Sequence, residues 1–570
     1  MILAAILAAS LLASDALPPR TLDARSVENL VAFARLYGLV RFFSPSDEAA
    51  AADWPAIAVE GARLVEDAPD GAALQEKLGE IFRPLAPTMS LQSSSVIHCW
   101  CGLDAPLPAG TEIVSWVHRG VGLDPAMPVY SSRRERRDGG GSPLPFVEIP
   151  LGGGTEVLLP IASRVNGGAT TPRADRPQLP ALAARSAPTP DDRATRLGAV
   201  VIAWNVLRHF YPYDDVVPCD WDGMLERALR SAAADADAVA FLATLRRLVA
   251  EIHDGHGTVT HPADLATSQP KLAWEFVEGK LVVTHVAPDA GEELRPGDVV
   301  VSVDGVPISD AIAREIAMAG AATPQLLRVR VARQLLHGPP GSEIAIGVER
   351  DGAPPRVVKA PRSIPRMSFA EPRPEKVAEI APGVLYCDLG RVRDADFAEA
   401  LPRLAAAKGV VFDLRGYPRT FEFLSHLSKE RLESPRWEIP LVTRPFGEGR
   451  TFASERWTVE PVAPRLEGRV AFLTDGRAIS AAETCLGMVE AYELGEIVGS
   501  PTAGTNGNVN PIALPGGYSM TWTGMRVLKH DGSRLHGVGV LPTVPVERTI
   551  RGVAAGKDEV LERAIEIVRG

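Results

Sequence analysis

Residues 469–508 read RVAFLTDGRAISAAETCLGMVEAYELGEIVGSPTAGTNGN, and this stretch decides the fold of the C-terminal part. Val470 to Thr474 is a short apolar run of strand length, and Asp475-Gly476 is a turn signal. From Ser480 onward Ala481, Ala482, Glu483, Leu486 and Met488 are good helix formers. A second apolar pair, Ile497-Val498, follows and stops at Gly499. The pattern is strand, tight turn, helix, strand, with Ser480 at the helix start. Ser480 and Glu483 have S-x-x-E spacing, which fits a capping box that satisfies the free N–H groups of a helix N-terminus. The same free N–H groups and the positive end of the helix dipole also suit a serine nucleophile whose reaction develops an oxyanion. Spacing alone leaves both readings open.

The stretch resembles the active-site segment of the tail-specific (C-terminal-processing) serine peptidases, the family that includes the tricorn protease core. The resemblance rests on Ser480-Ala481-Ala482-Glu483 and on Val498-Gly499-Ser500-Pro501-Thr502-Ala503-Gly504. It implies that Ser480 is the nucleophile. The Ser-Lys members of the family carry a lysine after the final glycine, where this chain has Thr505. The resemblance therefore points to the branch that uses a histidine base. Asp254-Gly255-His256 resembles the D-G-H-T signature of that branch, which implies His256 as the base, with Asp254 in a supporting role. Gly409 to Gly416 reads as a buried strand ending in a turn and resembles the family's D-L-R-G segment. Here the segment continues as Tyr417-Pro418-Arg419-Thr420, so the family's final glycine pair is lost. The resemblance implies an oxyanion hole from Gly416 and the N–H of Ala481. Glu483 and His536 are further supporting candidates. His536 precedes Gly537-Val538-Gly539, where tricorn-like relatives often have glutamate. It reads as a polar group in the cleft or a plain surface histidine.

Length and composition bound the rest. At 570 residues the chain is too long for one ordinary domain. The 60 basic and 71 acidic residues give a net charge of −11, which argues against a nucleic-acid partner. Residues 1–16 read as a secretory signal peptide, because the apolar run Ile2 to Ala13 is too short to span a bilayer. The expected location is exported, periplasmic or extracellular, with no stable membrane insertion after signal cleavage. Of the five cysteines, Cys99 and Cys101 lack the second pair of a zinc site, and Cys387 and Cys485 sit in apolar runs as buried thiols. His253, His256 and His261 are close in sequence but fit no standard zinc signature, so no metal and no other cofactor is expected.

Two helical stretches repeat. Arg41-Phe42-Phe43-Ser44-Pro45-Ser46-Asp47 parallels Arg208-His209-Phe210-Tyr211-Pro212-Tyr213-Asp214, and Asp53-Trp54 parallels Asp220-Trp221. All share one offset of 167 residues, which predicts a duplicated three-helix unit. At that offset His256 falls on Met89, so only the second copy carries the histidine.

The expected architecture is multidomain α/β. A first helical unit spans 20–90 and a small β domain 91–165, with Arg133 to Gly141 as a solvated turn. A Pro-, Ala- and Arg-rich linker spans 166–192, and the second helical unit 193–265. Leu294 to Gly305 resembles the most recognisable piece of a PDZ domain, within a unit spanning 270–362 that carries a long helical insertion at Ile308 to Leu336. Residues 370–570 form the serine peptidase core, whose implied fold is ClpP/crotonase-like. The implied function is an exported endopeptidase acting on peptides or on unfolded or tagged proteins. An alternative reading is a catalytically inactive peptide-binding protein of the same fold. A third, a metal-dependent hydrolase working through the three histidines, would lose activity to chelators.

Overall fold

The computed structural model describes residues 16–93, 105–175, 187–265, 267–288, 290, 293–350, 352–369 and 371–570. The apolar run of the expected signal peptide, and Cys99 and Cys101, lie outside the described residues.

Helices Ala24–Phe43, Trp54–Val65 and Gly71–Phe82 form the first three-helix unit, and Arg193–Phe210, Trp221–Ala234 and Ala238–Ala250 the second. Each starts at an aspartate whose side chain accepts a backbone N–H: Asp23, Asp53, Asp70, Asp192, Asp220 and Asp237. The two long helices end at Phe43 and Phe210. A residue before proline is pushed out of helical geometry, and Ser44 and Tyr211 have ψ of 115° and 123°. The Tyr37 hydroxyl donates to the Trp54 carbonyl at 3.0 Å. One offset later, the Trp204 indole N–H donates to the Trp221 carbonyl at 2.8 Å. Different side chains thus make the same tie. The two units share one apolar core, including Leu36, Tyr37, Trp204 and Phe241. Their close approach needs glycine at 198, where a Cβ would stand 2.8 Å from the Val59 nitrogen.

The C-terminal core holds a six-stranded sheet in the order Val377–Ala381, Val384–Asp388, Gly409–Asp413, Arg469–Thr474, Glu496–Gly499, Val544–Pro545. All its pairings are parallel except the first. Both faces are covered, so the strands are continuous apolar runs rather than alternating ones. Val410 and Phe412 pack with the helices Asp394–Ala406 and Ala481–Ala491, while Val411 packs with Glu559–Arg569 on the other face. Cys387 and Cys485 are buried in this core.

The region 91–165 does not close on itself. Glu112–Arg119 pairs with Ala162–Asn166 on one side and reaches Arg436–Val442 of the C-terminal part through His118 and Arg119. Arg133 to Asp138, expected as a turn, belongs to strand Ser131–Asp138. It is a largely exposed, charge-studded edge strand, and such charges discourage edge-to-edge pairing. The stretch expected as linker opens with a further short strand, Ala169–Thr171.

Between helical units and core, residues 268–365 build a sheet containing Leu272–Val277, Lys280–Val286, Val299–Val303, Glu343–Glu349 and Arg356–Pro361. The expected long helical insertion is two helices, Ile308–Ile316 and Pro324–Gln334. The second restarts at Thr323, whose hydroxyl caps Leu326 N–H, with Pro324 at the first helical position.

One small sheet positions the site. Val509–Leu514 and Tyr518–Thr523 form a hairpin that takes up Thr258–Thr260, just past the last helix of the second unit. Strand alternation sends Tyr518, Met520 and Trp522 into the helical core and leaves Thr521 and Thr523 for the opposite face.

Candidate active site

Ser480 follows strand Arg469–Thr474 by a short turn and opens helix Ala481–Ala491. Its φ of 59° and ψ of −114° are sterically strained for a residue with a side chain. Strain of this kind costs about 1–3 kcal/mol and persists only where surrounding contacts enforce it. They do here. The Ser480 N–H donates to the Thr505 carbonyl at 2.9 Å and faces Glu483 Oε2 at 3.3 Å. Glu483 is fully buried and also accepts from the Thr502 hydroxyl at 2.5 Å and from the N–H groups of Gly504 and Thr505 at 2.7 and 2.9 Å. It therefore pins the 502–505 loop to the first turn of the helix. Burial pushes its carboxyl up to about 7 against those hydrogen bonds. Glu483 reaches back to the Ser480 N–H as a capping-box acid would, while the backbone of Ser480 is bent as a projecting nucleophile would be.

His256 lies on the turn after helix Ala238–Ala250. Asp254 is fully buried and accepts the His256 backbone N–H at 3.0 Å. It also accepts the N–H and the hydroxyl of Thr523, each at 2.6 Å. The His256 Nδ1 is 3.0 Å from Thr523 Oγ1, and the Thr521 hydroxyl donates to the His256 carbonyl at 2.7 Å. Gly255 packs directly on Thr505, the residue whose carbonyl holds Ser480. Arg330, from helix Pro324–Gln334, donates to the Gly255 and Gly320 carbonyls. Burial lowers the His256 pKa; Asp254 opposes the shift and Arg330 adds to it. The imidazole is therefore neutral near pH 7. Among the described residues, the His256 hydrogen bonds run to Asp254, Thr523 and Thr521, and none joins the ring to Ser480.

The family model for peptidase family S41 matches residues 432–546, which contain the Ser480 turn, the 502–505 loop and Thr523. The segment that carries Ser480 is thus similar to serine peptidase family S41. The fold is similar to that of mature CPAF, at 14% identity and TM-score 0.54, covering 66% of this chain and 97% of that one. The photosystem II D1 C-terminal processing protease aligns at 18% identity over 64% of this chain and 98% of that one, with a TM-score of 0.39. Among curated protein sequences none matches this chain.

The remaining candidates are spread around the Ser480 and His256 turns. Ala481 is the first helical residue, so its N–H has no acceptor within the helix. Gly416 stands just past strand Gly409–Asp413, adjacent to the strand that leads to Ser480, but its N–H donates to the Leu414 carbonyl at 2.8 Å. A cleft of about 820 Å³ at this end of the sheet is lined by Gly416, Gly476, Trp274 and Gln325. Ser480 and His256 are not in its lining.

His536 is not a surface histidine. It is 1% exposed, with its ring stacked on Tyr213 at 3.9 Å between centroids. The Tyr211 hydroxyl lies 3.4 Å from its Nε2, and its Nδ1 has no hydrogen-bond partner among the described residues. Burial lowers its pKa to about 4. Of the three neighbouring histidines, His253 is exposed and His261 packs against Tyr518. The sequence does not single out Thr523 and Arg330, and Thr505 stands out there only as the residue in place of a lysine. The Thr521-Trp522-Thr523 alternation was a signal that both threonines share a face. It did not say which strand they would meet.

Proposed function

We propose that this chain is an exported serine endopeptidase of the S41 type that cleaves peptides or unfolded proteins, with Ser480 as nucleophile and His256 as base. One observation carries the reading. The strained Ser480 turn and the His256 turn converge on Thr505, which bonds the first through its carbonyl and packs against Gly255 of the second.

In this mechanism His256 Nε2 takes the hydroxyl proton of Ser480 while the serine oxygen attacks the peptide carbonyl. The Ala481 N–H, at the positive end of its helix, receives the developing oxyanion; Gly416 joins it once its N–H turns from Leu414. His256 then passes its proton to the leaving amine. A water, deprotonated by the same nitrogen, releases the acyl group and restores the serine. No Ser480–His256 hydrogen bond is present in the free protein, and catalytic hydrogen bonds of this kind commonly form only with substrate bound.

The parallel sheet with Ser480 at its carboxyl end supports a ClpP/crotonase-like core. The sheet and two helices of residues 268–365 support a PDZ-like unit beside the cleft, suited to holding an extended chain. The apolar run near Met1 supports export.

A fluorophosphonate probe tests the reading. Covalent labelling of the wild type that disappears in Ser480→Ala and falls sharply in His256→Ala is the expected result. The Gly416 N–H bonded to Leu414 favours the second reading, a non-catalytic peptide-binding protein. Absence of labelling in the wild type, with peptide binding retained, would select it.

A further inference from the structure

The tautomer of His256 follows from two residues on different elements. Thr523 Oγ1 has one proton, and it is directed at Asp254 Oδ1, 2.6 Å away. A carboxylate can only accept, so the hydroxyl is left as an acceptor toward His256 Nδ1 at 3.0 Å. Nδ1 must then carry the ring proton. Nε2 is left with its lone pair, the form a general base needs. Asp254 holds this arrangement from both sides, because it also takes the backbone N–H of His256 and of Thr523.

We infer that Thr523 is a positioning residue that, with Asp254 behind it, sets the tautomer and orientation of His256 and steadies the imidazolium formed during acyl transfer. This rests on the Ser480–His256 reading above. It assigns the orienting acid to the turn that bears the base, relayed through a hydroxyl from the C-terminal hairpin. Position 536 holds a histidine whose ring is stacked on Tyr213. The charged and titratable groups facing His256 are Asp254 on its own turn, Arg330 on helix Pro324–Gln334 and His536 on the C-terminal segment. Asp254 is the acid among them. The hydroxyl is backed by the strand pairing Thr521↔Thr258, so the relay is built into the sheet rather than hung on a loop.

The test uses Thr523→Val, which keeps the shape and removes the hydroxyl, and Thr523→Ser, which keeps the hydroxyl. The expected result for Thr523→Val is a fluorophosphonate labelling rate about a hundredfold lower. Its acidic limb should move to lower pH, because the imidazolium loses its partner. Thr523→Ser should recover most of both. Nitrogen-15 shifts of His256 in the full chain should report a protonated Nδ1 in the wild type and a tautomer mixture in Thr523→Val. A Val variant that labels at the wild-type rate with an unmoved limb, or a wild type with its proton on Nε2, overturns the inference. The nitrogen shifts are read without chemistry at Ser480. If labelling fails in the wild type while Nδ1 carries the proton, the Ser480 reading falls and the tautomer assignment stands.

Discussion

Gly255 and Thr505 approach more closely than any side chain at 255 would allow: a Cβ there would stand 2.3 Å from Thr505 Oγ1 and 2.7 Å from a methyl carbon of Leu326. Thr505 is fully buried and cannot step aside. The glycine is what lets the His256 turn sit against the loop that holds Ser480. Gly255→Ala should therefore separate the two turns. We expect a loss of about 1–3 kcal/mol in stability and a much larger proportional loss of fluorophosphonate reactivity. Thermal unfolding and labelling of the same preparation measure both, and an alanine variant that labels like the wild type would break the link.

Arg330 reaches from helix Pro324–Gln334 to the Gly255 carbonyl and holds a positive charge near the imidazole. The proposed base works only when deprotonated, so activity should be lost as pH falls through its folded pKa. Burial and Arg330 both push that pKa below the ordinary value of about 6.5. Arg330→Met removes the cation and should move the acidic limb of kcat/KM to higher pH. An unmoved limb in a variant that still melts cooperatively would show that Arg330 acts through the turn alone.

Glu483 links the pH dependence of stability to the 502–505 loop that holds Ser480. Its folded pKa is raised to about 7, against an unfolded value of about 4.3. Between these values the folded state binds more protons than the unfolded one. The Glu483 contribution therefore makes stability fall as pH rises from about 4.3 to 7, and it flattens above that. Glu483→Gln should abolish this slope. It should also loosen the 502–505 loop, because Gly504 and Thr505 donate to different carboxylate oxygens and the amide nitrogen that replaces one of them cannot accept. Denaturant unfolding of both forms at several pH values checks the sign; equal slopes would refute it.

His536 fills space between Tyr211 and Tyr213. Replacing it with alanine should cost about 2–4 kcal/mol in stability, as other large-to-small changes in cores do. The acidic limb of the pH profile should stay within a few tenths of a unit, since the ring of His256 is tied to Thr523. Calorimetry and pH-dependent labelling would measure the two effects. A shifted limb would make His536 part of the relay.

Much of this molecule could be read from local pattern. Helix starts at Asp53, Asp70, Asp220 and Asp237 follow from a short side chain that caps free N–H groups, and the ends at Ser44 and Tyr211 from the prolines behind them. The strand at Gly409–Asp413 and the strand, turn and helix around Ser480 are equally local. The edge strand Ser131–Asp138 was not, because its charges look like a loop until Glu112–Arg119 pairs with it.

Sequence alone determined which residues stand at helix starts, which strands are buried on both faces, and that a serine opens the helix at 481. All of these depend on neighbours a few positions away. Tertiary structure decided what His256 touches. Its partner Thr523 lies 267 residues along the chain and is delivered by the pairing of Tyr518–Thr523 with Thr258–Thr260. A single hydroxyl meeting a ring nitrogen leaves no periodicity to read, and neither does a buried histidine stacked on a tyrosine from another unit. Those contacts exist only once the strands have found their register.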